Sequence, residues 1–130
     1  MTQTRQPIPE TSTPEPFLPC ERLDVYRLSL EFRQSLAILD TVRNIASQRD
    51  QLYRASDSIV LNIAEGAGRM ARPDKRRHYS YAKGSTMECG AALALLNARG
   101  ALRETAYLER RMMLIRIVQM LSRLCGPPGT

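Results

Sequence analysis

The sequence predicts an all-α protein, an antiparallel up-down-up-down four-helix bundle with a disordered N-terminal tail. Its apolar residues recur at the three- and four-residue spacing of amphipathic helices. Residues 20–72 and 74–126 contain no proline, and an interior proline costs a helix about 3 kcal/mol. At 130 residues, the chain has the length of one ordinary domain. Four helices joined by short links pack most simply with neighbours running in opposite directions.

The tail is predicted from its composition. Five of the eight prolines lie in the first 19 residues, mixed with Thr, Ser and Glu. Such a segment has too little apolar surface to fold by itself. We therefore expect a Pro-rich mobile tail over residues 1–21, the bundle over residues 22–126 and a C-terminal tail over residues 127–130.

The first two helices are defined by their apolar stripes. The first is predicted from about Leu23 to Ile45, with a stripe of Val25, Leu28, Phe32, Leu36, Leu39 and Val42. Ser47 is a suitable N-cap for the second helix, because serine side chains accept hydrogen bonds from free N–H groups. The second helix is expected to fade near Arg72, and its inner stripe reads Leu52, Ala55, Ile59 and Ile63.

Proline and glycine mark the limits of the last two helices. Pro73 fits the first turn of the third helix, which runs to Gly100 with inner positions at Ala82, Cys89, Leu93 and Leu96. The fourth helix begins near Glu104 or Thr105 and ends at Gly126. Apolar residues cover most of its circumference from Met112 to Leu124, which favours self-association. The alternative is a wide core face with a few exposed methionines.

The charge distribution favours an anionic partner. The chain carries 19 basic and 13 acidic residues, a net charge of +6. The densest cluster of basic residues lies between positions 69 and 77 and is followed by two tyrosines. Cations can bind phosphates, and neighbouring aromatic rings can stack on bases. The predicted nucleic-acid-binding residues are Arg69, Arg72, Lys75, Arg76, Arg77, Tyr79 and Tyr81. The alternative is a solvated turn whose arginines pair with water or with neighbouring subunits.

Catalytic and metal-binding patterns are sparse. One histidine, His78, and three widely spaced cysteines form no zinc or di-iron motif, so we expect no cofactor and no metal. Glycine motifs around Gly66 and Gly84 lie in helical patterns rather than after a strand, which argues against nucleotide-binding loops. No apolar run is long enough for a transmembrane helix and no signal peptide is present, so a cytoplasmic protein without membrane contact is expected.

Polar residues recur on facing sides of the second and third helices. Glu65 and Glu88 would suit an acid and a base, but no nucleophile or metal set accompanies them. We favour a structural network that fixes helix register, and we expect no enzyme activity. The predicted network consists of Arg54, Ser58, Asn62, Glu65, Ser85 and Glu88.

Three stretches of the chain resemble a known family. They are Leu23-x-Val25-Tyr26, Gln51-Leu52-x-Arg54-Ala55-x-x-Ser58-Ile59-x-x-Asn62-Ile63-Ala64-Glu65-Gly66-x-Gly68-Arg69 and Tyr79-x-x-Ala82-x-Gly84-Ser85-x-x-Glu88. Over about residues 22–125 the chain resembles the four-helix bundle proteins encoded inside intervening sequences of bacterial 23S ribosomal RNA genes. It is also similar to the accessory protein of diversity-generating retroelements, a positively charged pentamer that binds nucleic acid and a reverse transcriptase.

The resemblance implies a cytosolic bundle that forms a ring-shaped homopentamer, with RNA, DNA or a reverse transcriptase as partners. Together with the charge pattern, it leads to a hypothesis of a non-enzymatic oligomeric scaffold that binds structured RNA or DNA through its basic surface. The alternative is a protein-interaction module whose basic face binds an acidic protein partner.

Overall fold

Four α-helices make up most of the computed structural model, which describes residues 16–127. They are α1 (Asp24–Ser35), α2 (Ala46–Gly68), α3 (Arg72–Ala98) and α4 (Glu104–Cys125). Short 3₁₀-helices span Pro19–Arg22 and Leu36–Leu39, and the described range contains no strand. None of the helices in this range is long and apolar enough to cross a membrane.

Neighbouring helices run in opposite directions, as predicted. Each pair is joined by two contacts whose residue numbers rise on one helix and fall on the other. Arg33–Asp57 and Leu36–Tyr53 join α2 to α1 and to the 3₁₀-helix that follows α1. Ser58–Ser85 and Asn62–His78 join α2 to α3. Arg76–Cys125 and Gly90–Leu114 join α3 to α4. Helix α4 returns to pack against α1, which closes the four-helix bundle.

The core consists of the predicted apolar stripes. Complete burial of one such side chain contributes about 1.5–3 kcal/mol. Helix α4 adds Leu114, Ile117 and Leu121, while several of its other apolar residues are partly or fully exposed. The stripe residues with no more than 1% exposure are Phe32, Leu36, Leu39, Leu52, Ile59, Ile63, Ala82, Cys89, Leu93 and Leu96.

The first helix is shorter than predicted. Helix α1 ends at Ser35, and the chain continues through the 3₁₀-helix Leu36–Leu39 rather than reaching Ile45 as α-helix. The tighter turn keeps Leu36 and Leu39 in the core, so the apolar spacing alone does not reveal the break. Asn44 then adopts a left-handed conformation, with a φ of 65°, before α2 begins.

The ends of the other three helices agree in part with the prediction. Ser47 does not cap α2, because the helix begins at Ala46 and its N-cap residue is Ile45. Helix α2 ends at Gly68, before Arg72, since Arg69 is extended. Pro73 lies in the first turn of α3, and α3 and α4 are followed by Gly100 and Gly126 with φ values of 76° and 74°.

The folded region extends beyond the predicted N-terminal boundary. Cys20 is 5% exposed and lies in the 3₁₀-helix Pro19–Arg22, which packs against α1 and α2. Residues 19–21 therefore belong to the packed structure. The remainder of the predicted tail up to residue 15, and residues 128–130 of the predicted C-terminal tail, lie outside the described residues.

A buried arginine supports the end of α1. Arg110 of α4 is 7% exposed, and its guanidinium Nε and Nη2 donate to the carbonyl of Ser35 at 3.2 and 2.8 Å. Its Nη1 donates to the carbonyl of Ala106 at 2.8 Å. Burial lowers the pKa of Arg110, and Glu109 opposes this shift. The arginine thus supplies charged donors from a distant helix at the point where α1 gives way to the 3₁₀-helix Leu36–Leu39.

Replacing this arginine tests the interaction. We expect Arg110→Ala to lower the free energy of unfolding by about 2–3 kcal/mol, because the charge-assisted hydrogen bonds from the guanidinium to the Ser35 and Ala106 carbonyls are removed. The exposed Arg116 on the same helix is the control, and Arg116→Ala should stay within about 0.5 kcal/mol of the parent. Urea unfolding measures both, and equal destabilisation of the two variants would contradict the assignment.

Candidate functional site

Two of the five predicted cations are built into the fold. Lys75 Nζ donates to the carbonyls of Gly66 and Ala67, at 3.2 and 3.0 Å, at the end of α2. Arg76 Nε and Nη2 donate to the carbonyls of Cys125 and Pro127, both at 2.7 Å, at the end of α4. These cations satisfy free carbonyls and oppose the negative ends of two helix dipoles.

The other three cations face solvent. Arg69 pairs with Glu65 at 3.1 Å, and Arg77 pairs with Asp74 at 3.5 Å. Arg72 is exposed and makes no ion pair with any residue of the described range. Because exposed ion pairs contribute only about 0–1 kcal/mol, a phosphate can replace these carboxylates at little cost. We call Arg69, Arg72 and Arg77 the basic end of the bundle.

The two predicted stacking residues have opposite environments. Tyr79 is 4% exposed, and burial raises its pKa. Its ring lies so close to Gly66 that a Cβ atom there would be 2.6 Å from Tyr79 Cε1. The prediction for Tyr79 is therefore corrected, because its ring packs in the core and has no face open to a base. Tyr81 is 54% exposed.

A polar network crosses the seam between α2 and α3. Ser58 Oγ and Ser85 Oγ are 2.8 Å apart, and Asn62 Nδ2 donates to the carbonyl and hydroxyl oxygens of Ser58 at 2.9 and 3.1 Å. Asn62 Oδ1 lies 3.4 Å from His78 Nδ1. Because the amide nitrogen of Asn62 donates to Ser58, its amide oxygen is the atom that faces the His78 ring. His78 Nε2 is buried and has no partner among the described groups.

His78 is a member of this network that was not predicted from the sequence. It lies seven residues before Ser85 on α3, a spacing that places both on one helix face. The remaining predicted members are not brought into the network. Arg54 and Glu88 are exposed, and Glu65 binds Arg69 on the outer side of α2. The predicted position of these three residues in the seam is therefore corrected, while the pairing of Glu65 with an arginine is as predicted.

The described residues 16–127 include three free thiols and no cluster of metal-binding side chains. No cluster of three or more His, Cys, Asp or Glu side chains in this range has a geometry for holding a metal ion. Cys20 and Cys89 are buried, Cys125 is half-buried, and all three are free thiols. Burial, with a smaller contribution from Glu88, raises the pKa of Cys89 to about 12, so this thiol stays protonated near neutral pH.

Two of the surface depressions on the bundle lie near residues considered above. One occupies the outer side of α2, has a volume of about 590 Å³ and is lined by Leu61, Ala64, Glu65, Gly68 and Arg69. It adjoins the basic end through Arg69. The other is an apolar groove of about 320 Å³ between α3 and α4, and its lining includes Met87, Gly90, Ile115 and Val118.

The chain matches the model of a known protein family. The model of the 23S rRNA-intervening sequence protein family matches residues 21–123. The chain belongs to this family. The match confirms the resemblance seen in the sequence and includes nearly the whole bundle of this 23S rRNA-intervening sequence protein. A comparison with curated protein sequences gives no match.

The contact between Gly66 and Tyr79 has a measurable consequence in this family member. We expect Gly66→Ala to destabilise the fold by about 1–3 kcal/mol, because the added methyl overlaps a buried ring. Gly84 is the control, since a Cβ there meets no atom within 4 Å. Gly84→Ala should stabilise α3 by about 0.5–1 kcal/mol. Thermal and urea unfolding report the difference, and a neutral Gly66→Ala would contradict the close packing.

Proposed function

We propose that this 23S rRNA-intervening sequence protein is a non-catalytic cytoplasmic scaffold that binds RNA or DNA through the basic end of its bundle. The observation that carries the proposal is the exposure of Arg69, Arg72 and Arg77 at one end of the molecule. Lys75 and Arg76 fix the backbone that presents them, because each is hydrogen-bonded to the end of another helix.

The chemistry of the basic end suits phosphodiesters. Guanidinium groups bind phosphate oxygens through paired N–H donors, which lysine cannot match. Arg72 is the first residue of α3, where free backbone N–H groups and the helix dipole also favour an anion. Cations at several positions along the surface favour an extended polyanion over a single small anion.

We also propose that the protein assembles into a homo-oligomer, with the pentamer that the family resemblance implies as its form. Support comes from apolar side chains directed outward from α3 and α4. Met87, Leu108 and Met112 are 59%, 44% and 56% exposed, and Met87 borders the apolar groove between the two helices. Burying such a surface against another copy removes it from water.

Charge reversal at the basic end tests nucleic-acid binding. Fluorescence anisotropy with labelled RNA and DNA should give affinities that fall steeply with salt. The double variant Arg72→Glu and Arg77→Glu should weaken binding to both probes. It should also flatten the slope of log K against log salt by about 0.7–0.9 for each phosphate that the variant no longer neutralises.

A matched control separates a site from a general charge effect. Arg43 and Arg103 are exposed near the opposite end of the bundle, where Arg99 donates to the carbonyl of Asn44 at 3.2 Å. Arg43→Glu with Arg103→Glu changes the net charge equally and should leave the salt slope near that of the parent. If both double variants behave alike, or if the parent binds neither probe, the proposed interface is wrong.

Self-association is tested by light scattering after size exclusion. The parent should have a mass several times that of the 14.7 kDa chain, and Met87→Glu with Met112→Glu should shift it toward the monomer. Met70→Glu is the control, because Met70 is 97% exposed in the link between α2 and α3. A monomeric parent would contradict the proposed assembly.

A further inference from the structure

One exposed aromatic ring lies beside the basic end. Phe17 and Tyr81 are the exposed aromatic residues among residues 16–127, at 45% and 54% exposure. The guanidinium of Arg22 covers the Phe17 ring at 3.9 Å. Tyr81 follows Arg77 by four residues on α3, so the two side chains lie on one face of the helix. A phosphate-binding cation and an open ring are therefore neighbours.

The polar seam network supports the position of this ring. The His78 ring meets the Tyr81 ring edge-on, with centroids 5.9 Å apart and an interplanar angle of 87°. His78 is in turn held by Asn62, which is anchored on Ser58 of α2. A ring that is already ordered on a helix gives up little conformational freedom when a ligand packs against it.

A second exposed apolar side chain, Leu61, lies on α2. The contacts Ser58–Ser85 and Asn62–His78 bracket both Tyr81 and Leu61, so these two residues lie at the same level of the helix pair. Leu61 is 65% exposed and lines the depression whose rim includes Arg69. Arg77 on α3 and Arg69 after α2 both lie between these two residues and the link that joins the helices. We call Tyr81 and Leu61 the apolar step.

An exposed apolar step beside arginines distinguishes unpaired nucleic acid from duplex. A duplex presents phosphates and sugars to a protein surface and keeps its base faces stacked inside, so it gains from the arginines but not from a tyrosine ring. An unpaired base exposes a π-face that stacks on aromatic side chains, while its flanking phosphates bind nearby cations. The apolar step is useful only to the second kind of ligand.

We propose that the basic end binds an unpaired segment of RNA or DNA, with one base stacked on Tyr81 against Leu61 and the flanking phosphates on Arg69 and Arg77. The inference rests on the proposed function and names its substrate class. Single strands, loops and bulges are preferred to continuous duplex. Tyr81 provides a stacking surface and the seam network orients it.

The experiment uses the full chain and three probes of one sequence: a single strand, the same strand annealed to its complement, and a hairpin that carries it in the loop. Tyr81→Ala should weaken binding to the single strand and the loop by about 5- to 150-fold and leave duplex binding unchanged. Tyr81→Phe should keep the parent affinity, since the ring remains. A fluorescent base analogue in the strand should be quenched by the parent and by Tyr81→Phe but not by Tyr81→Ala.

Controls distinguish this inference from its alternatives. Leu95 is 67% exposed on α3, and Leu95→Ala should bind all three probes like the parent. If Tyr81→Ala lowers the mass measured by light scattering, the ring is covered by a second copy of the chain and the inference is overturned. If Tyr81→Ala affects single strand and duplex equally, or neither, while Arg72→Glu with Arg77→Glu still weakens both, only this inference fails. If the arginine variant also binds like the parent, the proposed function fails as well.

Discussion

The bundle depends on cations that satisfy backbone carbonyls at the ends of its helices. Arg110 donates to Ser35 at the end of α1, Lys75 to Gly66 and Ala67 at the end of α2, and Arg76 to Cys125 and Pro127 around the end of α4. Each helix C-terminus leaves carbonyls without an internal partner and carries a partial negative charge, so one long cationic side chain meets both requirements. Helix α3 is followed by Gly100, which turns the chain with a positive φ, as Gly126 does after α4. Part of the basic composition is therefore structural.

This arrangement also organises the surface. Lys75 and Arg76 tie the first turns of α3 to the ends of α2 and α4, and the solvent-facing Arg72 and Arg77 lie on the same turns. A cation on a backbone held in this way is presented at a defined position, which lowers the entropic cost of binding a polyanion. The same segment thus combines helix-end contacts with outward guanidinium groups, and the five neighbouring cations divide into two roles.

The seam between α2 and α3 connects packing with the apolar step. Gly66 lets the Tyr79 ring lie against the α2 backbone, which brings the two helices close together at this level. Ser58 pairs with Ser85 across the seam, and Asn62 donates to Ser58 within α2. A shift in helix register would leave the two serine hydroxyls without each other as partners. His78 extends the network to Tyr81 at the surface. Tyr79 in the core and Tyr81 at the surface are two residues apart, so α3 contributes both to the packing of the bundle and to the apolar step.

The sequence was enough to predict the helical class and the core stripes, because the spacing of apolar residues along the chain matches the turn of a helix. The limits of α3 and α4 were also predictable, because Pro73, Gly100 and Gly126 restrict or permit particular backbone angles at their own positions. The burial of Tyr79 was also predictable, since it continues the stripe of Ala82 and Cys89. The end of α1 depends instead on long-range packing, because its donor, Arg110, is 75 residues away. Packing likewise selects which cations face solvent. Lys75 and Arg77 are both basic residues two positions apart, and nothing in the sequence around them distinguishes their roles. Only Lys75 reaches the end of another helix, because the packing of distant segments places that end beside it.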